Sequence, residues 1–67
     1  MRNQKVIEEI KDEISCYNWH TKDELRIYVE GILFGVWLKT DDNDYEEISN
    51  AIQEYTTNEY DTYIVRC

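Results

Sequence analysis

The sequence predicts a small α+β domain of order α-β-β-α-β, with two helices on one face of a three-stranded antiparallel sheet. Three observations lead there. Two segments repeat apolar residues every three or four positions. Three others alternate or are apolar throughout and are rich in β-formers. Gly31 falls between two of these, where a hairpin would turn.

Residues 3–17 form the first amphipathic segment. Val6, Ile7, Ile10, Ile14 and Tyr17 share one stripe, Asn3 precedes it as a candidate N-cap, and Lys5, Glu8, Glu9 and Asp12 occupy the other face. Residues 18–23 break the pattern. In residues 24–30, Leu25, Ile27 and Val29 alternate with Arg26, Tyr28 and Glu30, which reads as a half-buried strand. Residues 32–39 read as its hairpin partner, with Gly35 as a bulge. The second helix is expected over roughly 44–56 on the stripe Tyr45, Ile48, Ala51, Ile52 and Tyr55. Asp42 or Asp44 would cap it, Asp44 pairing with Glu47 at capping-box spacing. Residues 60–66 alternate again and read as the third strand. A right-handed crossover then gives strand order 2-1-3. The expected core is Ile10, Ile14, Leu25, Ile27, Trp37, Ile48, Ile52 and Ile64. Truncating a buried Trp37 would cost about 3–5 kcal/mol.

At 67 residues the chain is one small domain, residues 1–67, with a small core and little stability to spare. Its 42% hydrophobic content, with six Tyr, two Trp and one Phe, is too apolar for a disordered acidic tail. Fifteen acids against seven bases give a net charge of −8. Such a surface repels nucleic acid and anionic lipid and attracts basic protein patches or cations. No apolar run approaches membrane-spanning length and the N-terminus has no apolar leader, so the expected location is the cytoplasm, without membrane contact.

Catalytic chemistry finds little to work with. Cys16 and His20 form the one nucleophile–base pair worth naming, and nothing at readable spacing supplies an orienting acid or an oxyanion hole. The same pair falls short of a zinc site, which needs about four ligands. The run Asp41 to Glu47 is dense in oxygen ligands but lacks the central glycine and terminal glutamate of a calcium loop. No enzyme activity, catalytic residue, cofactor or metal is therefore expected, and Cys16 and Cys67 are read as free thiols.

The carboxylates are the strongest signal. Asp41, Asp42, Asp44, Glu46 and Glu47 crowd the start of the second helical segment, where each is stabilising by roughly 0.3–1 kcal/mol through the helix dipole. That does not account for Glu54, nor for Glu8, Glu9 and Asp12 on the first segment, where Glu8–Asp12 and Glu9–Glu13 are like-charge i,i+4 pairs. Carboxylates four apart on a helix stand about 6 Å apart along it, of the order of successive phosphates on one strand. Asp41, Asp42, Asp44, Glu46, Glu47, Glu54, Glu8, Glu9 and Asp12 are thus candidate phosphate-mimic residues that meet a basic, DNA-binding partner. The alternative is a small acidic adaptor or regulator that binds through apolar and aromatic side chains, with the acids merely solvated.

The segment from Ile27 adds a pattern. Ile27-Tyr28-Val29 is followed by Gly31, Leu33, Gly35 and Trp37 in a G-x-L-x-G-x-W arrangement, then by acidic residues 41–48 and by residues 59–65. Over about residues 26–65 this resembles the N-terminal domain of the ArdA antirestriction family. The resemblance implies a strand, the glycine-rich stretch, an acidic helix and a returning strand. It also implies a DNA mimic that occupies the DNA-binding surface of a host defence enzyme, a restriction–modification system or a CRISPR effector, in the bacterial cytoplasm. Residues 1–24 add a helix that the family's first domain does not normally begin with. The family's further domains, which carry its dimer interface, have no counterpart in these residues, and a homodimer stays open.

Overall fold

The computed structural model describes residues 3–64, and among them there are three helices and no strand: α1 (Gln4–Ser15), α2 (Lys22–Lys39) and α3 (Asp42–Tyr60). The α+β expectation, with its 2-1-3 sheet, is overturned. Both strands of the expected hairpin, residues 24–30 and 32–39, lie in the single helix α2. Of the expected third strand, Tyr60 closes α3, residues 61–64 run on without helix, and residues 65 and 66 lie outside the described residues.

The reason is visible in α2. Leu25, Val29 and Leu33 are four residues apart and all buried, so they make a helical stripe as readily as the alternation Leu25, Ile27, Val29 makes a strand face. The local signals at the ends favour helix. Thr21 caps α2, its hydroxyl accepting from the Glu24 backbone N–H at 3.1 Å. Asp23 and Glu24 occupy the first turn and Lys39 the last, each matched to the helix dipole. A tight hairpin needs positive φ in its turn, and neither glycine has it. Gly31 and Gly35 stay within α2, at about 1 kcal/mol each relative to Ala.

Only Thr40 and Asp41 separate α2 from α3, so the two run antiparallel. Six residues return the chain from α1 to α2, and α1 therefore runs parallel to α3. Two contacts mark this. At one end Asn3 Nδ2 donates to Asp44 Oδ1 at 3.0 Å; further along, Lys11 Nζ stands 5.4 Å above the Tyr55 ring. Asn3 is the N-cap of α1, but its side chain makes this cross-helix bond rather than a cap. The cap of α3 is Asp41, whose Oδ1 accepts from Asp44 N at 2.8 Å, in place of the expected Asp44–Glu47 box. Asp61 ends α3 with φ 52°; its N–H donates to the Thr57 carbonyl at 3.1 Å, the Thr62 N–H donates to the Thr56 carbonyl at 3.2 Å, and Lys22 bonds the Asp61 carboxylate at 3.0 Å.

The core is one cluster. It takes Ile7, Ile10 and Ile14 from α1, Leu25, Val29 and Leu33 from α2, and Tyr45, Ile48 and Ile52 from α3; Ile64 enters from the closing segment. Six of the eight expected core residues are there. Ile27 and Trp37 are not: both are exposed on α2, because the pleat that would have turned them inward does not exist. Buried Ser49 and Thr56 satisfy their hydroxyls by donating to the carbonyls three residues back, Glu46 at 3.2 Å and Gln53 at 3.1 Å.

Three substitutions separate this architecture from the sheet. Ile52→Ala should lower unfolding free energy by about 2–5 kcal/mol. Trp37→Ala should lose far less than the about 3–5 kcal/mol of a buried aromatic. Gly35→Ala should gain up to about 1 kcal/mol, since its added Cβ meets nothing within 4 Å. Urea denaturation at low protein concentration measures all three; a Trp37→Ala loss as large as that of Ile52→Ala would contradict the helical placement.

Candidate functional site

The acidic residues fall on two of the three helices. α3 carries Asp42, Asp44, Glu46, Glu47, Glu54 and Glu59 and no base. α1 carries Glu8, Glu9, Asp12 and Glu13 against Lys5 and Lys11. α2 carries Asp23, Glu24 and Glu30 against Lys22, Arg26 and Lys39, and is neutral. Arg26 pairs within α2, with Glu30 at 3.3 Å and Asp23 at 3.7 Å, while Lys22 reaches Asp61 at the end of α3.

Because α1 and α3 lie side by side, some of the candidate acids come together. Glu54 lines a groove of about 370 Å³ with Lys11, Ala51, Tyr55, Asn58 and Glu59. Glu47 is on the same row of α3, one turn before Ala51. It is half-buried, and its Oε1 is shielded from solvent without a hydrogen-bond partner among the described residues. On α1, Glu8 is exposed and accepts from Gln4 at 2.6 Å, and exposed Asp12 is near enough to Tyr55 to act on its ionisation. Parallel helices stand about 8–10 Å apart. The α1 and α3 acids therefore stand on neighbouring helices. The remaining candidates are spread more widely. Asp41 and half-buried Asp44 belong to the capping structure. Asp42 and Glu46 share a different row of α3, and Glu9 is exposed on α1.

Two tyrosines report the electrostatics. Tyr55 is pushed up from 10.0 to about 12, first by burial, then by its hydrogen bond with Tyr60, then by the charges of Tyr60, Glu59 and Asp12. Tyr28 is held well above the usual tyrosine range, first by hydrogen bonding with Tyr17, then by burial and by Glu13. Tyr28 belongs to a cluster with Tyr17 and Trp19, ring centroids 5.2–5.4 Å apart. Trp19 Nε1 donates to the Ile14 carbonyl at 3.0 Å and so closes the end of α1.

A second surface escaped the sequence reading. Ile27 is 63% exposed, Phe34 49%, Trp37 43% and Leu38 65%, all on α2. The signal was present: a segment apolar all round is a helix with one face in the core and another left over. Cys16 and His20 are both exposed, and no group of three or more His, Cys, Asp or Glu able to hold a metal occurs among the described residues. Nor is any helix among them long and apolar enough to cross a membrane. No family model, curated protein or solved structure matches the chain.

Two measurements follow from this surface. Asp41→Ala removes the α3 cap and should cost about 0.5–2 kcal/mol. A tyrosine raised in the folded state contributes stability that is complete below its unfolded pKa of 10.0 and is lost as pH rises through about 12. Tyr55→Phe should therefore flatten the alkaline fall in melting temperature over that window; an unchanged fall would show that Tyr55 ionises as it does in the unfolded chain.

Proposed function

We propose that the protein is a DNA mimic. It inhibits a basic nucleic-acid-binding enzyme of a host defence system, a restriction–modification enzyme or a CRISPR effector, by occupying the surface that would hold DNA. The observation that carries this is the segregation of charge. Ten acids of α1 and α3, four and six, face two lysines, while the neutral helix α2 lies against them. Arg and Lys groups built for phosphate bond carboxylate as readily. The rows flanking the α1–α3 groove, Glu8 and Asp12 on one side and Glu47 and Glu54 on the other, offer two lines of charge as a duplex does. Asp41, Asp42, Asp44, Glu46 and Glu9 extend the negative field around them.

The reading now stands on this charge geometry. The G-x-L-x-G-x-W residues, expected in a hairpin, lie within α2, so the resemblance lends no fold. It supports only the choice of a defence enzyme as the target.

Inhibition of DNA binding by a type I restriction enzyme and by an RNA-guided nuclease tests the proposal. Inhibition should fall steeply with salt, because exposed charges are screened beyond about 8 Å at physiological ionic strength. DNA should compete for the same surface. Replacing Glu46, Glu47 and Glu54 with Gln should keep the fold and weaken inhibition, and reversal to Lys should abolish it. If the Gln triple variant inhibits as the parent does, and DNA does not compete, the mimic is the wrong reading.

A second reading, an adaptor that binds a partner through apolar side chains, is favoured by the exposed face of α2. It predicts the reverse pattern: binding lost with Phe34→Ala and unaffected by the Gln substitutions.

A further inference from the structure

We propose that the outer face of α2 is a self-association surface, on which a second copy of the chain packs its own α2 in antiparallel orientation. Ile27, Gly31, Phe34 and Leu38 succeed one another at spacings of four, three and four, the seam that paired helices share. This seam lies opposite Leu25, Val29 and Leu33, so its residues are exposed while the core stays closed.

The two glycines point outward. A Cβ at Gly31 or Gly35 would meet nothing within 4 Å, and neither glycine has positive φ. Nothing within one copy requires glycine at either position, yet each weakens the helix that contains it. A neighbour that enters the open space does require it. In an antiparallel pair whose twofold axis passes midway between Gly31 and Phe34, each Phe34 falls on the partner copy's Gly31 and each Ile27 on its Leu38. The face is complementary to itself, as a twofold interface must be.

Charge selects the same orientation. Glu24 lies at one end of the seam and Lys39 at the other, and neither forms an ion pair with another described residue. In this antiparallel register the partner copy's Lys39 lies on the same flank as Glu24 and two residues, about 3 Å along the axis, from level with it. Parallel packing stacks like charges and sets Phe34 against Phe34. α2 is also the one helix with balanced charge, so pairing through it keeps the acidic helices of both copies outward. From Ile27 to Leu38 the seam runs about 16 Å. An interface of one helix pair is small, below about 1,200 Å² in total, and the dimer is correspondingly weak and reversible.

Sedimentation equilibrium of the full chain, over a hundredfold range of concentration and at low and high salt, tests this. The expected result is a monomer–dimer equilibrium that tightens with salt, because each copy carries −8 and screening relieves the repulsion. That is opposite to the salt dependence of binding a basic enzyme, so the two proposals fail separately. Phe34→Glu and Gly31→Leu should each weaken the dimer by about tenfold or more. Gly31→Leu should at the same time raise the melting temperature, which separates lost association from lost folding. Glu24→Lys and Lys39→Glu should each weaken the dimer, and the two together should restore it. A chain that stays monomeric throughout, including one that instead binds an amphipathic peptide on this face, overturns the proposal. So does a dimer that Phe34→Glu leaves intact, or one that the double reversal does not restore.

Discussion

The bundle depends on closing one apolar cluster with very few side chains. Each helix contributes three, and Ile64 completes them from a segment that is not helical. A chain this short has a stability of only a few kcal/mol, so no stripe can be given up. The consequence reaches the surface. Once Ile7, Ile10 and Ile14, Leu25, Val29 and Leu33, and Tyr45, Ile48 and Ile52 are committed inward, helical geometry decides what faces out. On α1 and α3 half of the exposed positions are acids. On α2 they include Ile27, Phe34, Trp37 and Leu38. The molecule thus has an acidic side and an apolar side because its three stripes meet where they do.

The acidic run at the start of α3 serves two purposes at once. Asp41 caps the helix, Asp42 and Asp44 lie in its first turn, and Asp44 also receives Asn3 from α1. Those carboxylates are held by local structure and stabilise the helix through its dipole. Glu47 and Glu54 have no such role. Glu47 even keeps one oxygen away from water with no hydrogen-bond partner among the described residues, an arrangement that does not favour folding. The acids that folding explains and those it does not are therefore different residues of the same helix.

Much of the interior was legible in the sequence. The stripe of α1 and that of α3 have unambiguous helical spacing, and six of eight expected core residues are buried. The failure is confined to residues 24–39 and to the segment after Tyr60. There, Leu25 and Val29 fit both a period of two and a period of 3.6, and the two glycines read as punctuation. The deciding signal was the pair Thr21 and Glu24, which has the spacing of a helix cap and closes with a 3.1 Å bond. Reading Gly31 as a turn split one helix into two strands. The expected hairpin and the buried Trp37 followed from that split, whereas the third strand came from the alternation in residues 60–66. Of the candidate site, the acids were legible one by one. Which of them lie near one another was not, because that depends on α1 and α3 running parallel.

The two-residue joint between α2 and α3 has a consequence for how quickly the molecule assembles. Closing so short a loop loses little chain entropy, and the helices it joins are the two longest in the fold. Contacts that are close in sequence form first and fast, and helical proteins dominated by them fold in about microseconds to milliseconds. The α2–α3 hairpin is local in this sense, and α1 joins it across a connection of six residues. Both glycines and the exposed apolar residues lie in that early hairpin. Its apolar outer face is therefore uncovered in every copy, while the hairpin forms and after the core has closed.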